Sequence, residues 1–130
     1  MRSIPARADI AVAQKLAAPP PTEIVLSAIT VAELVRGAYR SLQVADNLDK
    51  VNALIAQFTC PPLDQVAAAH AGRIDAELTA IGSRIGPYDT LIAATAIAHN
   101  LTLVTHNTGE FSRVAGLRLE DWEDELKATG

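Results

Sequence analysis

The sequence is poor in several things, and each shortage narrows what the chain can be. It holds a single cysteine, Cys60, so no internal disulfide can form, and a lone thiol fits a reducing compartment. Aromatic residues make up only 4% of the 130 residues, so any core has to be built from Ala, Leu, Ile and Val. No apolar run approaches the roughly 20 residues of a spanning helix, and the longest, Leu91 to Ala98, excludes a membrane span. Asp9, Gln14 and Lys15 interrupt the N-terminal stretch where a signal peptide would need an unbroken apolar centre, so the expected location is the cytoplasm. Positive charge is also short: 11 Lys and Arg stand against 15 Asp and Glu, a net charge of −4. A broadly basic nucleic-acid coat is excluded, and phosphate binding would need a local patch or a bound cation. There is no glycine-rich phosphate loop and no G-x-S-x-G elbow. No pair of histidines has zinc-ligand spacing with a cysteine.

What is present reads as one globular domain over 1–130, with 49% hydrophobic and 20% charged residues. Residues 6–17 suggest a short helix with Ile10, Ala13 and Leu16 on one side, stopped by Pro19, Pro20 and Pro21. EIVLSAI at 23–29 is β-branched and apolar, as in a buried strand. Val31, Leu34, Val35, Ala38, Tyr39 and Leu42 form one helical stripe over 31–42. Helices are also expected at about 46–58, with Leu48, Val51, Ile55 and Phe58, and at about 64–81, with Val66, His70, Ile74 and Leu78. In that last stripe His70 reads as a core histidine. TCPPLD holds a short strand and a turn, and SRIGP (83–87) a loop. The 87–99 segment is apolar nearly all round, the pattern of a buried helix, and Asn100 suits its C-terminal end. LTLVT (101–105) reads as a strand, HNTGEF as a turn and GLRLEDW as a last extended segment anchored by Trp122. Alternating strands and helices predict an α/β fold with a parallel sheet, whose sites lie beyond the carboxyl ends of the strands.

That rule selects a set of polar residues. Glu33 follows the first strand-like run, Asp89 opens the 87–99 helix, and Thr105, Asn107 and Glu110 follow the 101–105 strand. Carboxylates and a hydroxyl from distant segments would then share one rim. Hard oxygen donors of this kind suit Mg²⁺ or Mn²⁺, which offset the charge of a phosphodiester. Each carboxylate also has a local explanation. Thr30-x-x-Glu33 reads as a capping box, and Asp89 behind Gly86-Pro87 is favoured at any helix N-terminus. Arg36 and Arg40 share the Glu33 face, where they could meet nucleic-acid phosphates or simply be solvated. His106 adjoins the rim, and His99 ends a helix.

LSAITVAELVRGAYRS, followed by IGPYDTLIAATAIAHNLTLVTHNTGEFSRVAGLRLEDW, resembles the PIN-domain toxins of the VapC type from about residue 4 to Trp122. The block GP-x-D-x-LIAA-x-A…L-x-LVT-x-N-x-x-EF is its most specific piece. The resemblance implies a PIN-like α/β domain with a central parallel sheet flanked by helices. It implies a Mg²⁺- or Mn²⁺-dependent endoribonuclease, the toxin of a type II toxin–antitoxin system, hydrolysing RNA through metal-activated water. It implies a cognate antitoxin as partner, and a homodimer. Carried onto this chain, it makes Glu33 and Asp89 the metal-binding and catalytic carboxylates. Asn107 and Glu110 stand where the family adds its last acidic contribution, Thr105 matches a substrate-positioning hydroxyl, and Arg36 is a weaker candidate for the same role.

One departure matters. Such toxins begin with an apolar strand, central in the sheet, that ends in Asp-Thr-Asn and supplies the leading metal ligand. No such motif occurs here, and Asp9 lies inside a helical pattern. The first central strand is therefore expected to be missing. Loss of about five buried aliphatic side chains, at roughly 1.5–3 kcal/mol each, would rival a small domain's net stability. Two outcomes follow: the strand is encoded upstream of a misassigned start, or the chain is an inactive remnant. In the second case it would act only as an antitoxin- or protein-binding module.

Overall fold

A computed structural model describes residues 2–6, 24–105 and 107–121. Residues 7–17 of the expected 6–17 helix, and with them Asp9, the proline stop, His106 and Trp122, lie outside those residues, while Ala6 continues the Ser3–Pro5 strand instead. The elements run β1 (Ser3–Pro5), α1 (Ala28–Tyr39), α2 (Val44–Ile55), α3 (Gln65–Ala80), α4 (Pro87–Ala98), β2 (Thr102–Val104), α5 (Thr108–Phe111) and β3 (Arg118–Glu120).

The strands form a parallel sheet in the order β1-β2-β3, with Ile4 opposite Leu103 and Leu103 opposite Leu119. Two single bridges extend it on the other side of β1: Ser3 pairs with Ile24, and Val25 pairs with Thr59. β1 thus lies between neighbours on both sides. The expectation that the central strand is missing is corrected here. Ser3–Pro5 fills that slot, and Ile4 and Leu103 are both fully buried in it. Three residues suffice because the ladder to β2 is complete. The Thr102 N–H donates to the Arg2 carbonyl at 3.1 Å, and the Ala6 N–H to the Val104 carbonyl at 2.8 Å.

The substitute strand carries a mark of its sequence. Val25 N–H donates to the Ser3 carbonyl at 2.9 Å. In a parallel ladder the next bond would come from the N–H of residue 5, and Pro5 has none. Pairing on that side therefore stays a single bridge, which agrees with the rule that proline weakens an interior strand. The carboxyl end of β1 offers Pro5 and Ala6, neither of which is acidic.

The 23–29 strand is shortened for a different reason. Ser27 Oγ accepts the Thr30 N–H at 2.9 Å and donates to Thr30 Oγ1 at 3.0 Å. This N-cap starts α1 at Ala28, earlier than the apolar stripe suggests, and leaves only Ile24 and Val25 in bridges. At the other end, α2 stops at Ile55 rather than reaching residue 58. HNTGEF is not only a turn, since Thr108–Phe111 closes one helical turn.

Two apolar clusters hold the layers. The larger joins β1 and β2 to α3 and α4 and includes Ile4, Ile74, Leu78, Ile92, Leu103 and Phe111. The smaller joins Leu26, Leu34, Ala38, Val51 and Leu54. α3 packs along α4, α2 along α1, and α1 meets α4. As its composition predicts, α4 is buried nearly all round, with Ile92, Ala93, Ala94 and Ala96 inaccessible to solvent. It ends at Asn100, whose φ of 54° is the left-handed C′ conformation. The Leu101 N–H then reaches the Ala96 carbonyl at 2.8 Å. In α3 the buried stripe is Ala67, Ala71, Ile74 and Leu78, rotated from the expected one. Val66 is 59% exposed, and His70 is not in the core. Its Nδ1 lies 3.2 Å from Arg73 Nη2. Among the described residues no helix is long and apolar enough to cross a membrane.

Candidate active site

Parallel strands place their carboxyl ends on one edge, and the loops that leave that edge carry the candidate residues. α1 begins there directly after Leu26, with Ser27 as its cap. Glu33 therefore lies beyond the first turn, which contains no acidic residue. The capping-box explanation of Glu33 does not hold, because the cap belongs to Ser27 and Thr30. Glu33 is half-buried, and its Oε1 is shielded from water. A carboxylate oxygen withdrawn from solvent is costly, and no helix-end role accounts for it.

α4 arrives at the same edge with its N-terminus. Gly86 is its N-cap, Pro87 occupies the first turn, and Asp89 is the acid of that turn. Proline's fixed φ and missing N–H suit this position, and the helix dipole favours the Asp89 charge. The local explanation therefore remains valid for Asp89, whatever else it does. A Cβ on Gly86 would sit 3.7 Å from Asp89 Oδ2, so the carboxylate lies on the side of the cap residue.

The segment after β2 closes this mouth. Thr105 is buried, and its Oγ1 accepts the Asn107 N–H at 2.9 Å, turning the chain into α5. Asn107 Nδ2 donates to Glu110 Oε2, and Glu110 Oε1 accepts the Gly86 N–H at 3.2 Å. Glu110 thereby holds the Gly86 amide, and Asn107 and then Thr105 are linked to it in turn, beside the first turn of α4 that carries Asp89. Arg113, one turn beyond Glu110, points Nη1 at the Ser83 and Arg84 carbonyls, 3.4 Å from each. Sequence reasoning missed this second grip on the loop, because an arginine reaching backbone carbonyls about thirty residues away leaves no local pattern.

The remaining candidates are placed less closely. α1 meets α4, so Glu33 and Asp89 ride on touching helices. Arg36 is exposed in the last turn of α1, about 12 Å along the axis from the helix start at 1.5 Å per residue. His99 caps the far end of α4, where Nε2 donates to the Pro62 carbonyl at 3.0 Å.

Among the described residues, no three His, Cys, Asp or Glu side chains form a group able to hold a metal ion. Among the described residues, the acids at this edge include Asp89 at the mouth of α4, Glu110 in α5, and Glu120 and Asp121 at the carboxyl end of β3, with Glu33 on the neighbouring helix. Mg²⁺ keeps several waters and is often held by only one or two protein carboxylates, with substrate phosphate completing its shell. The donor set fits a hydrated divalent cation in that sense, and β1 adds no further ligand.

A sequence profile of the PIN domain matches residues 5–117. The tRNA(fMet)-specific endonuclease VapC of Salmonella typhimurium is 43% identical over 97 residues, spanning 75% of this chain and 74% of its own. Ribonuclease VapC2 of Haemophilus influenzae is 41% identical over 97 residues, with 75% and 74% covered. A crystal structure of DNA-bound VapBC from Salmonella typhimurium contains a chain that superposes with a TM-score of 0.84. Identity to it is 33%, with 94% of this chain and 98% of that chain covered.

Proposed function

The chain belongs to the PIN-domain family, and we propose that it is the ribonuclease toxin of a type II toxin–antitoxin pair, acting in the cytoplasm. The observation that carries this reading is the convergence of Asp89, Thr105, Asn107 and Glu110 on the mouth of α4. Relatives named as VapC endonucleases and ribonucleases support it, as does the VapBC complex. The substrate class is RNA, the partner an antitoxin, and the assembly a homodimer.

In this reading Asp89 and Glu33 hold a divalent cation, Mg²⁺ or Mn²⁺. When bound, the cation supplies Lewis acidity and offsets the charge that builds on the phosphodiester during hydrolysis. The chain's own contribution is placement. The N-terminal dipole of α4 favours negative charge at its mouth, whether from Asp89 or from an approaching phosphate. Glu33 presents its oxygens from a rigid helix rather than a loop. Thr105 and Asn107 fix the turn that leads from β2 to Glu110.

The test is RNA cleavage by the purified chain with Mg²⁺ and with EDTA, beside Asp89→Asn. The variant is expected to lose cleavage while its circular dichroism spectrum stays that of the parent. Retained cleavage would remove Asp89 from the mechanism.

One observation favours a second reading, in which the chain binds a partner without cutting RNA. Tyr39 is 63% exposed and Leu42 fully exposed where α1 ends, although both continue its apolar stripe. Co-purification with the antitoxin in the absence of metal-dependent cleavage would select this reading over the first.

A further inference from the structure

We propose that Glu110 is a positioning residue, which sets the placement of Asp89 through the Gly86 amide rather than by ligating a cation itself. The inference rests on the nuclease reading only for the role of Asp89. Both oxygens of the Glu110 carboxylate already have donors, Gly86 N–H on Oε1 and Asn107 Nδ2 on Oε2. Each oxygen keeps a second lone pair, so what these two bonds establish is that Glu110 joins the Asn107 turn to the cap of α4, and Mn²⁺ titration of its variants decides whether it also ligates. Asn107 is itself tied by its backbone N–H to Thr105 Oγ1, and Thr105 directly follows β2. A continuous chain of bonds therefore runs from the sheet edge to the N-cap of α4.

The receiving end is equally constrained. The Gly86 carbonyl accepts the Thr90 N–H at 2.9 Å and the Thr90 hydroxyl at 3.1 Å. Glu110 on the N–H and Thr90 on the carbonyl thus fix Gly86 from both sides. Asp89 Oδ2 lies 3.7 Å from where a Cβ on Gly86 would stand, and Asp89 sits in the first turn of the helix that Gly86 caps, so a shift of the cap shifts the carboxylate. α5 can act as a fixed post because Phe111 is 1% exposed and Val114 5% exposed in the main core. Arg113, just past α5, reaches the Ser83 and Arg84 carbonyls of the loop that leads to Gly86.

Two substitutions separate reach from charge. Glu110→Gln keeps the length and a carbonyl-type Oε1 for the Gly86 N–H, and the Asn107 amide can turn to present its oxygen to the new NH₂. Glu110→Asp keeps the charge but is one methylene short of Gly86. The readouts are amide hydrogen exchange at Gly86 and Mn²⁺ affinity by titration of the full chain, beside RNA cleavage. In the expected result, Glu110→Gln retains Gly86 protection and Mn²⁺ affinity within about threefold of the parent. Glu110→Asp loses protection and at least about tenfold in affinity. Loss of Mn²⁺ affinity in Glu110→Gln would overturn the proposal, and so would full retention of protection in Glu110→Asp. If the parent chain neither binds Mn²⁺ nor cuts RNA, the nuclease reading fails. The Gly86 exchange rates of the two variants then decide the positioning claim alone.

Discussion

Ser27 Oγ accepts the Thr30 N–H at 2.9 Å, and this one bond moves the start of α1 to Ala28. Glu33 is thereby released from any capping duty and carried into the second turn, with one oxygen withdrawn from water. The cap of α1 therefore gives no reason for an acid at position 33, and a charge-removing substitution tests its part in cation binding.

Glu33→Gln is that substitution. It keeps shape and removes charge, and it touches no cap. The fold should persist, with a circular dichroism spectrum that stays that of the parent. Mn²⁺ affinity and RNA cleavage should both fall at least about tenfold. Unchanged Mn²⁺ affinity would show that Glu33 takes no part in cation binding.

Ser27→Ala should do the reverse. Ser27 is fully buried and caps α1, so the loss is about 1 kcal/mol of stability, the usual cost of an N-cap. Urea unfolding measures it. A midpoint equal to the parent's would mean that the cap contributes nothing.

Ala6→Asp places a carboxylate at the carboxyl end of β1, one step past the Pro5–Val104 pair. Ala6 is 2% exposed, so an unpartnered acid there is costly. The variant should melt below the parent in EDTA and recover on addition of Mn²⁺, because a ligand that binds only the folded state stabilises it. A melting temperature indifferent to Mn²⁺ would show that residue 6 does not face the cation.

Cys60 gives a pH-dependent prediction. Partial burial disfavours its thiolate and pushes the thiol's pKa up, and Sγ lies 3.9 Å from the Pro61 carbonyl. Less thiolate is then present at neutral pH than in free cysteine, so alkylation by iodoacetamide should be slower at pH 7.5. The rate should keep rising past the pH at which free cysteine levels off. An inflection at or below that of free cysteine would contradict the burial argument.

The sequence by itself determined the elements that depend on near neighbours. An apolar run on all sides of 87–98 made α4 a buried helix, Pro87 and Asp89 marked its start, and Asn100 marked its end. Each of these signals acts over one helical turn, so local composition suffices to read it. The motif from Gly86 to Phe111 likewise carried the family resemblance. Tertiary structure alone decided the rest. Nothing in Arg2-Ser3-Ile4-Pro5 announces a strand, and the segment becomes one because β2 and Ile24–Val25 leave a slot with backbone groups to satisfy. Val66 and His70 turned outward because α4 covers the α3 face centred on Ala71 and Ile74 instead. The Gly86–Glu110 bond joins a backbone amide to a side chain 24 residues away. A backbone amide is the same at every position but proline, so only the folded chain could show which one Glu110 would hold.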